Sequence, residues 1–410
     1  MEKYVGLREG KVVWISDKPV KEGIVLPEQF HKLSDHELIS NVRYKNGQFV
    51  DRSAPKNIQD LKIALIGVWK INCGISTYAD FLMDQIKSQV KDYRIFAELA
   101  PEAEADLHVD RCWERGKPMV ELARKVNDYD PDVVMIQHEY GIFPDARHWL
   151  ALLSNLHTQK VFVALHSVYQ FHQDKTICEA AIPNVIVHTK LQEEGLRKKG
   201  YKKPIHVIPH GCLPPRGQSR LWNLYRSPHT FMQFGFGFEY KGWENALQAC
   251  ALLKKEFPDV FYTGLFSESQ YSKHLHDNYF TKLQALVSEL GIEENVSLIR
   301  GFQTDEVLES FFRTNKCAVF PYRDNGEHTV LAVTGAARVA MTHGIPVVTS
   351  RVPFFSDLSE VCLQASQPEE LVEQIKKAWA DPKTQVARQD DFLKKNSWAN
   401  VARMYLEVMR

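Results

Sequence analysis

The chain has 410 residues with 51 basic and 51 acidic side chains, so its formal net charge is zero. That length supports two or three domains with real cores, and the neutral balance excludes a global basic field that would recruit nucleic acid, though not a local basic face. No apolar run is long enough to span a membrane, MEKYVGLREG has no signal-peptide core, and the 7 cysteines are scattered without CxxC or metal-ligand spacing; this argues for a reducing cytoplasm and against a disulfide framework or a zinc site.

Met1 to about Pro55 reads as a small β-rich appendage. KVVWIS, GIVLP and ISNVRYKNGQFVD are short strands, with Asn46-Gly47 as a hairpin turn. The α/β body begins at Leu61. KIALIGVW is a near-continuous apolar run, as a strand buried on both faces of a parallel sheet requires. It runs into a loop with Gly67 and Gly74, then a helix with Ile75, Tyr78, Ala79, Leu82, Met83 and Ile86 at helical spacing. YRIFAELA, PDVVMIQHEYGIF, VFVALHSV, NVIVHT and IHVIPHGC are further strands, and LQEEGLRKKGY is a helix between the last two.

His138, His166, His188 and His210 each fall at the carboxyl end of a strand. In open α/β sheets those ends line the ligand crevice. Parallel strands lie about 5 Å apart, so histidines there can hydrogen-bond hydroxyls or phosphate without holding a metal.

CLPPRGQSRLWNLYRSPH has no clear period and reads as a linker. The second half repeats the α/β logic. TFMQFGF is a strand running into a glycine loop with Lys241. ENALQACALLKKEF is a helix, VFYTGLF a strand, YFTKLQALVSELG a helix, NVSLIRGF a strand and DEVLESFFRTN a helix. In AVFPYRDNGEHTVLAVTGAARVAMTHGIPVVTS, a strand and a polar loop precede a helix that opens at Thr334-Gly335 and stops at Gly344. A small-residue loop at a helix N-terminus can bind an anion through unpaired N–H groups and the helix dipole. LVEQIKKAWA is a helix, and SWANVARMYLEVMR is an amphipathic helix with Ser397 as N-cap.

Taken in order from Leu61 to Arg410, KIALIGVWKINCGISTYADFL, VVMIQHEYGIF, VIVHT, IHVIPHG, FGFGFEYKGWENAL, NVSLIRGF with TDEVLESFF, and GAARVAMTHGIPVVTS resemble the retaining GT-B glycosyltransferases of the large family four, glycosyl transferases group 1. The appendage, with its YKNGQFV ending, resembles short N-terminal modules on phage-encoded proteins. The GT-B resemblance implies an α/β architecture of two Rossmann-like domains facing a cleft. The divisions expected are residues 1–57 for the appendage, 58–212 for an acceptor domain, 213–226 for the linker, 227–390 for a nucleotide-sugar domain and 391–410 for a helix crossing back to the first domain. The donor is a nucleotide-diphosphate sugar and the second substrate an acceptor hydroxyl on a glycan, lipid or small molecule. No cofactor and no metal are expected.

By the same resemblance, His138 and Glu327 are the catalytic candidates. Gly74, Lys241, Thr334 and Gly335 are candidates for the donor diphosphate, and Arg300, Gly301 and Phe302 for the nucleobase. The family's arginine falls at Phe236, and its pair of glutamates is broken, with Val339 in the second position. Glu327 is the nearest acid to replace the first glutamate. His166, Arg323 and Arg338 are further candidates, the two arginines for the missing charge. Three alternatives stand beside the transferase: a phage-type enzyme modifying hydroxymethylated pyrimidines in DNA, a catalytically silent GT-B nucleotide-binding protein and, more weakly, a GT-B sugar epimerase.

Overall fold

A computed structural model describes residues 56–100, 106–158, 160–169, 182–216, 228–268, 273–324 and 330–410, together with the backbone of five short strands before them. Of these, β1 (Lys3–Arg8), β2 (Lys11–Ser16) and β3 (Phe30–Leu33) form an antiparallel sheet in the order β2-β1-β3. β4 (Val42–Lys45) pairs with β5 (Gln48–Asp51) through Lys45 and Gln48, the register a hairpin at the expected turn requires. Asn46-Gly47 and the expected GIVLP strand lie outside the described residues.

The N-terminal α/β domain is a parallel sheet of β6 (Lys62–Gly67), β7 (Asp92–Glu98), β8 (Val109–Trp113), β9 (Val133–His138), β10 (Val161–Leu165), β12 (Asn184–Val187) and β13 (Ile205–Val207). β11 (Ser167–Tyr169) follows β10 but leaves this sheet. The spatial order is β13-β12-β10-β9-β6-β7-β8. Every residue of β9 is buried, which explains the apolar run at residues 133–136. Alternation divides each strand between two cores: Ala64, Ile66, Val134 and Ile136 face one, and Ile63, Leu65, Val133 and Met135 face the other. The helix Trp398–Met409 packs on the second core, where the Tyr405 hydroxyl meets that of Tyr78 at 2.9 Å. Ser397 caps it as expected, accepting from the Asn400 N–H.

The C-terminal domain is a second parallel sheet. Its strands are β14 (Thr230–Phe236), β15 (Phe261–Ser267), β16 (Val296–Arg300), β17 (Ala318–Phe320), β19 (Val347–Thr349) and β20 (Leu363–Gln364), in the order β16-β15-β14-β17-β19-β20. No described helix is long and apolar enough to cross a membrane.

Both sheets reverse their winding once. The N-terminal sheet does so between β6 and β9, the C-terminal sheet between β14 and β17. Crevices open at the carboxyl ends of such neighbouring strands, and the loops leaving these four strands supply the site described below.

A short strand then couples the domains. β18 (Val330–Ala332), from the C-terminal half, pairs antiparallel with β11, matching Ser167 with Ala332 and Tyr169 with Val330. Leu331 enters the N-terminal core at 5% exposure, and its carbonyl accepts a hydrogen bond from Gln192 Nε2 at 3.1 Å. The residues between the expected polar loop and the expected helix thus form a strand, donated across the cleft. Truncating a buried leucine costs about 2–5 kcal/mol, so Leu331→Ala should lower the unfolding free energy by that order in denaturant titration. A change below ~1 kcal/mol would mean that the clasp is peripheral.

Candidate active site

The C-terminal wall of the cleft is set by one glycine. Gly242 has φ +68°, and a Cβ there would lie 1.8 Å from the Pro321 carbonyl oxygen. Only glycine lets the loop after β14 press this closely on the end of β17. The contact brings Lys241 to Tyr322: the ammonium donates to the Tyr322 hydroxyl at 2.5 Å, and its Nζ lies 4.2 Å from the centre of that ring. The Tyr322 hydroxyl is 3.3 Å from Thr334 Oγ1, which accepts in turn from the Ala336 N–H. Thr334 is the N-cap of the helix Gly335–Thr342, so a continuous polar chain joins the lysine to that helix end. Burial pushes the Lys241 ammonium below its ordinary value, with Tyr240 beside it acting in the opposite sense.

The opposite wall is the loop after β6 and the helix Gly74–Ile86, whose first residues Gly74, Ile75 and Thr77 face the cleft. Among the described residues, no atom beyond its chain neighbours and its own helix backbone lies within 4 Å of where a Gly74 Cβ would stand. Two helix N-termini, one from each domain, therefore open on a single cavity of about 490 Å³. This volume is in the range of small-molecule sites. Phe236 and Val339, which replace the expected arginine and glutamate, both line it.

The strand-end histidines divide. His166, His188 and His210 surround the Tyr78 ring, with centroids 4.7, 5.2 and 5.0 Å from it. His166 Nε2 lies 2.8 Å from Gln137 Oε1, and His210 Nδ1 2.7 Å from the Gly211 carbonyl. Both His166 and His210 line the cavity, and a Cβ on Gly335 would be 3.9 Å from His210 Nε2. With its Nδ1 proton donated to a carbonyl, His210 presents Nε2 as an acceptor rather than as a positive charge. Burial holds all three well below the ordinary imidazole value, His188 at about 4.

His138 is elsewhere. Alternation along β9 puts it on the face of Val134 and Ile136, where its ring stacks on Phe143 at 5.5 Å and packs on Trp149. It is 2% exposed and does not line the cavity. Its neighbour Glu139 does, accepting from Ser167 Oγ at 2.6 Å and from the Tyr140 N–H at 3.1 Å. Sequence reasoning passed over Glu139 because the histidines drew attention; the available signal was the two-residue period of the strand.

Thr334, Gly335, Gly74 and Lys241 are brought together. Phe302, 58% exposed, reaches the same cavity with Gln303 beside it. Arg300 does not; it pairs with Glu268 and Asp277 on the surface. Gly301, at φ +114°, also lies off the cavity lining. Arg338 lines the cavity but is bound to Asp357 and to the Thr334 carbonyl, so its charge is already compensated. Arg323 pairs with Glu244 at 3.2 Å and with Asn245. Glu327 lies outside the described residues. Among the described residues, no group of three or more His, Cys, Asp or Glu side chains could hold a metal ion.

The buried histidines give a pH dependence. His138 is held at about 3 and His188 at about 4, against an ordinary 6.5, both by burial. The unfolded chain takes up these protons first as pH falls. Their contribution to stability is therefore intact above 6.5 and lost as pH falls towards 4, at up to about 1.4 kcal/mol per pH unit for each group. Denaturant titrations between pH 7 and 4.5 should show a falling unfolding free energy, with a shallower fall in His138→Phe. An unchanged slope in that variant would place the His138 proton elsewhere.

Residues 221–392 match the family model for glycosyl transferases group 1. No curated protein sequence matches the chain. Among solved structures, a glycosyltransferase from Rickettsia africae superposes with a TM-score of 0.67 at 12% identity, over 85% of this chain and 98% of that one. The sucrose-phosphate synthase of Thermosynechococcus elongatus gives 0.66 at 18% identity over the same shares. Anabaena HepE, solved with UDP and glucose, gives 0.64 at 14% identity over 85% and 99%. The chain has the GT-B fold, and residues 221–392, most of its C-terminal domain, match the model for glycosyl transferases group 1.

Proposed function

We propose that this protein is a retaining glycosyltransferase that moves a hexosyl or pentosyl group from a nucleotide-diphosphate sugar to an acceptor hydroxyl. One observation carries the reading. The Lys241–Tyr322–Thr334 chain and the N-terminus of the helix Gly335–Thr342 face the N-terminus of the helix Gly74–Ile86 across one cavity. A diphosphate seated there meets an ammonium group and two helix dipoles, all of which gain strength as the anomeric bond breaks and charge collects on the leaving oxygen. The reading gives this neutralisation to Lys241 and the helix ends rather than to a metal ion. Similarity to HepE, whose structure contains UDP and glucose, supports a donor of this class.

In the reaction, the acceptor oxygen bonds to the anomeric carbon from the face the diphosphate leaves. The carbon–oxygen bond to the diphosphate breaks, and the acceptor proton passes to the departing phosphate. His210 Nε2, an acceptor in the cavity, suits a sugar hydroxyl rather than phosphate. Because Arg338 is tied to Asp357 and Phe236 carries no charge, Lys241 is the one cation without an acidic partner among the described lining residues. Its loss should therefore be severe.

Thermal-shift measurements against uridine, adenosine and guanosine diphosphate sugars should find at least one that raises the melting temperature. Lys241→Ala should weaken that binding by at least about tenfold, roughly 1.4 kcal/mol. Proton NMR of fresh product should show the donor's anomeric configuration. An inverted product would overturn retention. If no nucleotide sugar shifts the wild type, a silent GT-B protein becomes the better reading.

A further inference from the structure

A second cavity, of about 400 Å³, adjoins the cleft, and Glu139, Ser167, Tyr240 and Phe354 line both. One wall is a stack of three aromatic rings. Phe238 and Tyr240 lie 5.8 Å apart, and Tyr240 and Phe354 lie 5.5 Å apart, each pair within 12° of parallel. Tyr169 and Val330, from the two strands of the clasp, line it as well. The chamber thus exists in this form only while β11 and β18 are paired.

The charges in this chamber are unusual for a site beside a diphosphate cradle. Its described lining includes the carboxyl groups of Glu139 and Asp324 and one cation, Arg323, whose guanidinium is turned to Glu244 and Asn245. Glu139 is held by neutral donors: Ser167 Oγ, the Tyr140 N–H and the Tyr169 side chain. A phosphorylated ligand would bring a dianion against the Glu139 carboxyl, with no uncommitted cation among the described lining residues, which is costly in a partly desolvated space. A sugar ring suits it better. Its C–H faces pack on aromatic planes, and its hydroxyl edges donate to carboxylates.

Resting on the transferase reading for its role, we propose that this chamber is the acceptor subsite, that it selects an uncharged sugar ring over a sugar phosphate, and that Glu139 accepts the hydrogen bond of the attacking hydroxyl from the partition between the two cavities. That selectivity would set this chain apart from one structural neighbour, a trehalose-phosphate synthase solved with glucose-6-phosphate. Burial, the largest influence on Glu139, raises its carboxyl above the usual range, while bonds from Ser167, Tyr140 and Tyr169 act against it.

Saturation-transfer NMR tests the chamber without any donor. Methyl α-D-glucopyranoside, maltose and glucose 6-phosphate are presented to the full-length wild type, to Glu139→Gln and to Phe238→Ala. An uncharged sugar should give transfer in the wild type, glucose 6-phosphate should give less, and the signal should fall at least about threefold in both variants. Calorimetry with the nucleotide diphosphate checks that the variants remain folded and that their donor affinity stays within about twofold of wild type. In turnover assays, Glu139→Gln should raise the acceptor KM about tenfold without changing the donor KM. A stronger response to glucose 6-phosphate, no sugar response at all, or undiminished sugar binding in Phe238→Ala would each overturn the proposal. Sugar binding in the chamber without nucleotide binding would leave the chamber's sugar selectivity standing and refute the transferase reading and the acceptor role with it.

Discussion

The antiparallel pairing of Ser167–Tyr169 with Val330–Ala332 is the constraint on which the site depends. It spans the cleft with backbone hydrogen bonds and sets a C-terminal leucine into the N-terminal core. Such a contact fixes register as well as distance, because a one-residue slip would turn Leu331 out of that core. Thr334 stands two residues beyond β18, at the N-cap of the helix Gly335–Thr342. The clasp therefore holds that helix end against the Tyr78 histidine cluster, and it forms part of the wall between the cleft and the second chamber. A second tie, the Trp398–Met409 helix on the N-terminal sheet, fixes the domains from the far side.

Within that frame the chemistry is an economy of charge. Several groups that look cationic in sequence are already committed. Arg338 serves Asp357, Arg323 serves Glu244, and Arg300 serves two surface acids. The histidines are kept neutral by burial. Lys241 is left, made available by a glycine that no other residue can replace without backbone strain or a clash with Pro321. Its proximity to the Tyr240 and Tyr322 rings holds the ammonium in place without neutralising it.

Much of the fold was legible because doubly covered parallel strands carry near-continuous apolar runs, as residues 63–66 of β6, residues 133–136 of β9 and Val161–Leu165 of β10 do. The edge strand β8 was not, since VDRCW mixes charge with apolar residues where the sheet ends. The clasp strand was invisible for a different reason. Three residues carry no period, and its partner lies in the other domain. In the site, the Thr334-Gly335 helix start and Lys241 were legible from local sequence, because a cap and a tight loop are local facts. The commitment of Arg338 to Asp357 and the turning of His138 away from the cleft depend on packing partners distant in sequence. The strand period was enough to flag His138, had it been applied at the strand's last residue.

The central claim is that both domains together build a cradle for a diphosphate. Calorimetry comparing a nucleoside monophosphate with its diphosphate tests it most directly. If Lys241 and the two helix ends receive the β-phosphate, the diphosphate binds at least about tenfold more tightly in the wild type, a difference of roughly 1.4 kcal/mol. Equal affinity for the two nucleotides would contradict the account, because the cavity would then be reading the nucleoside alone.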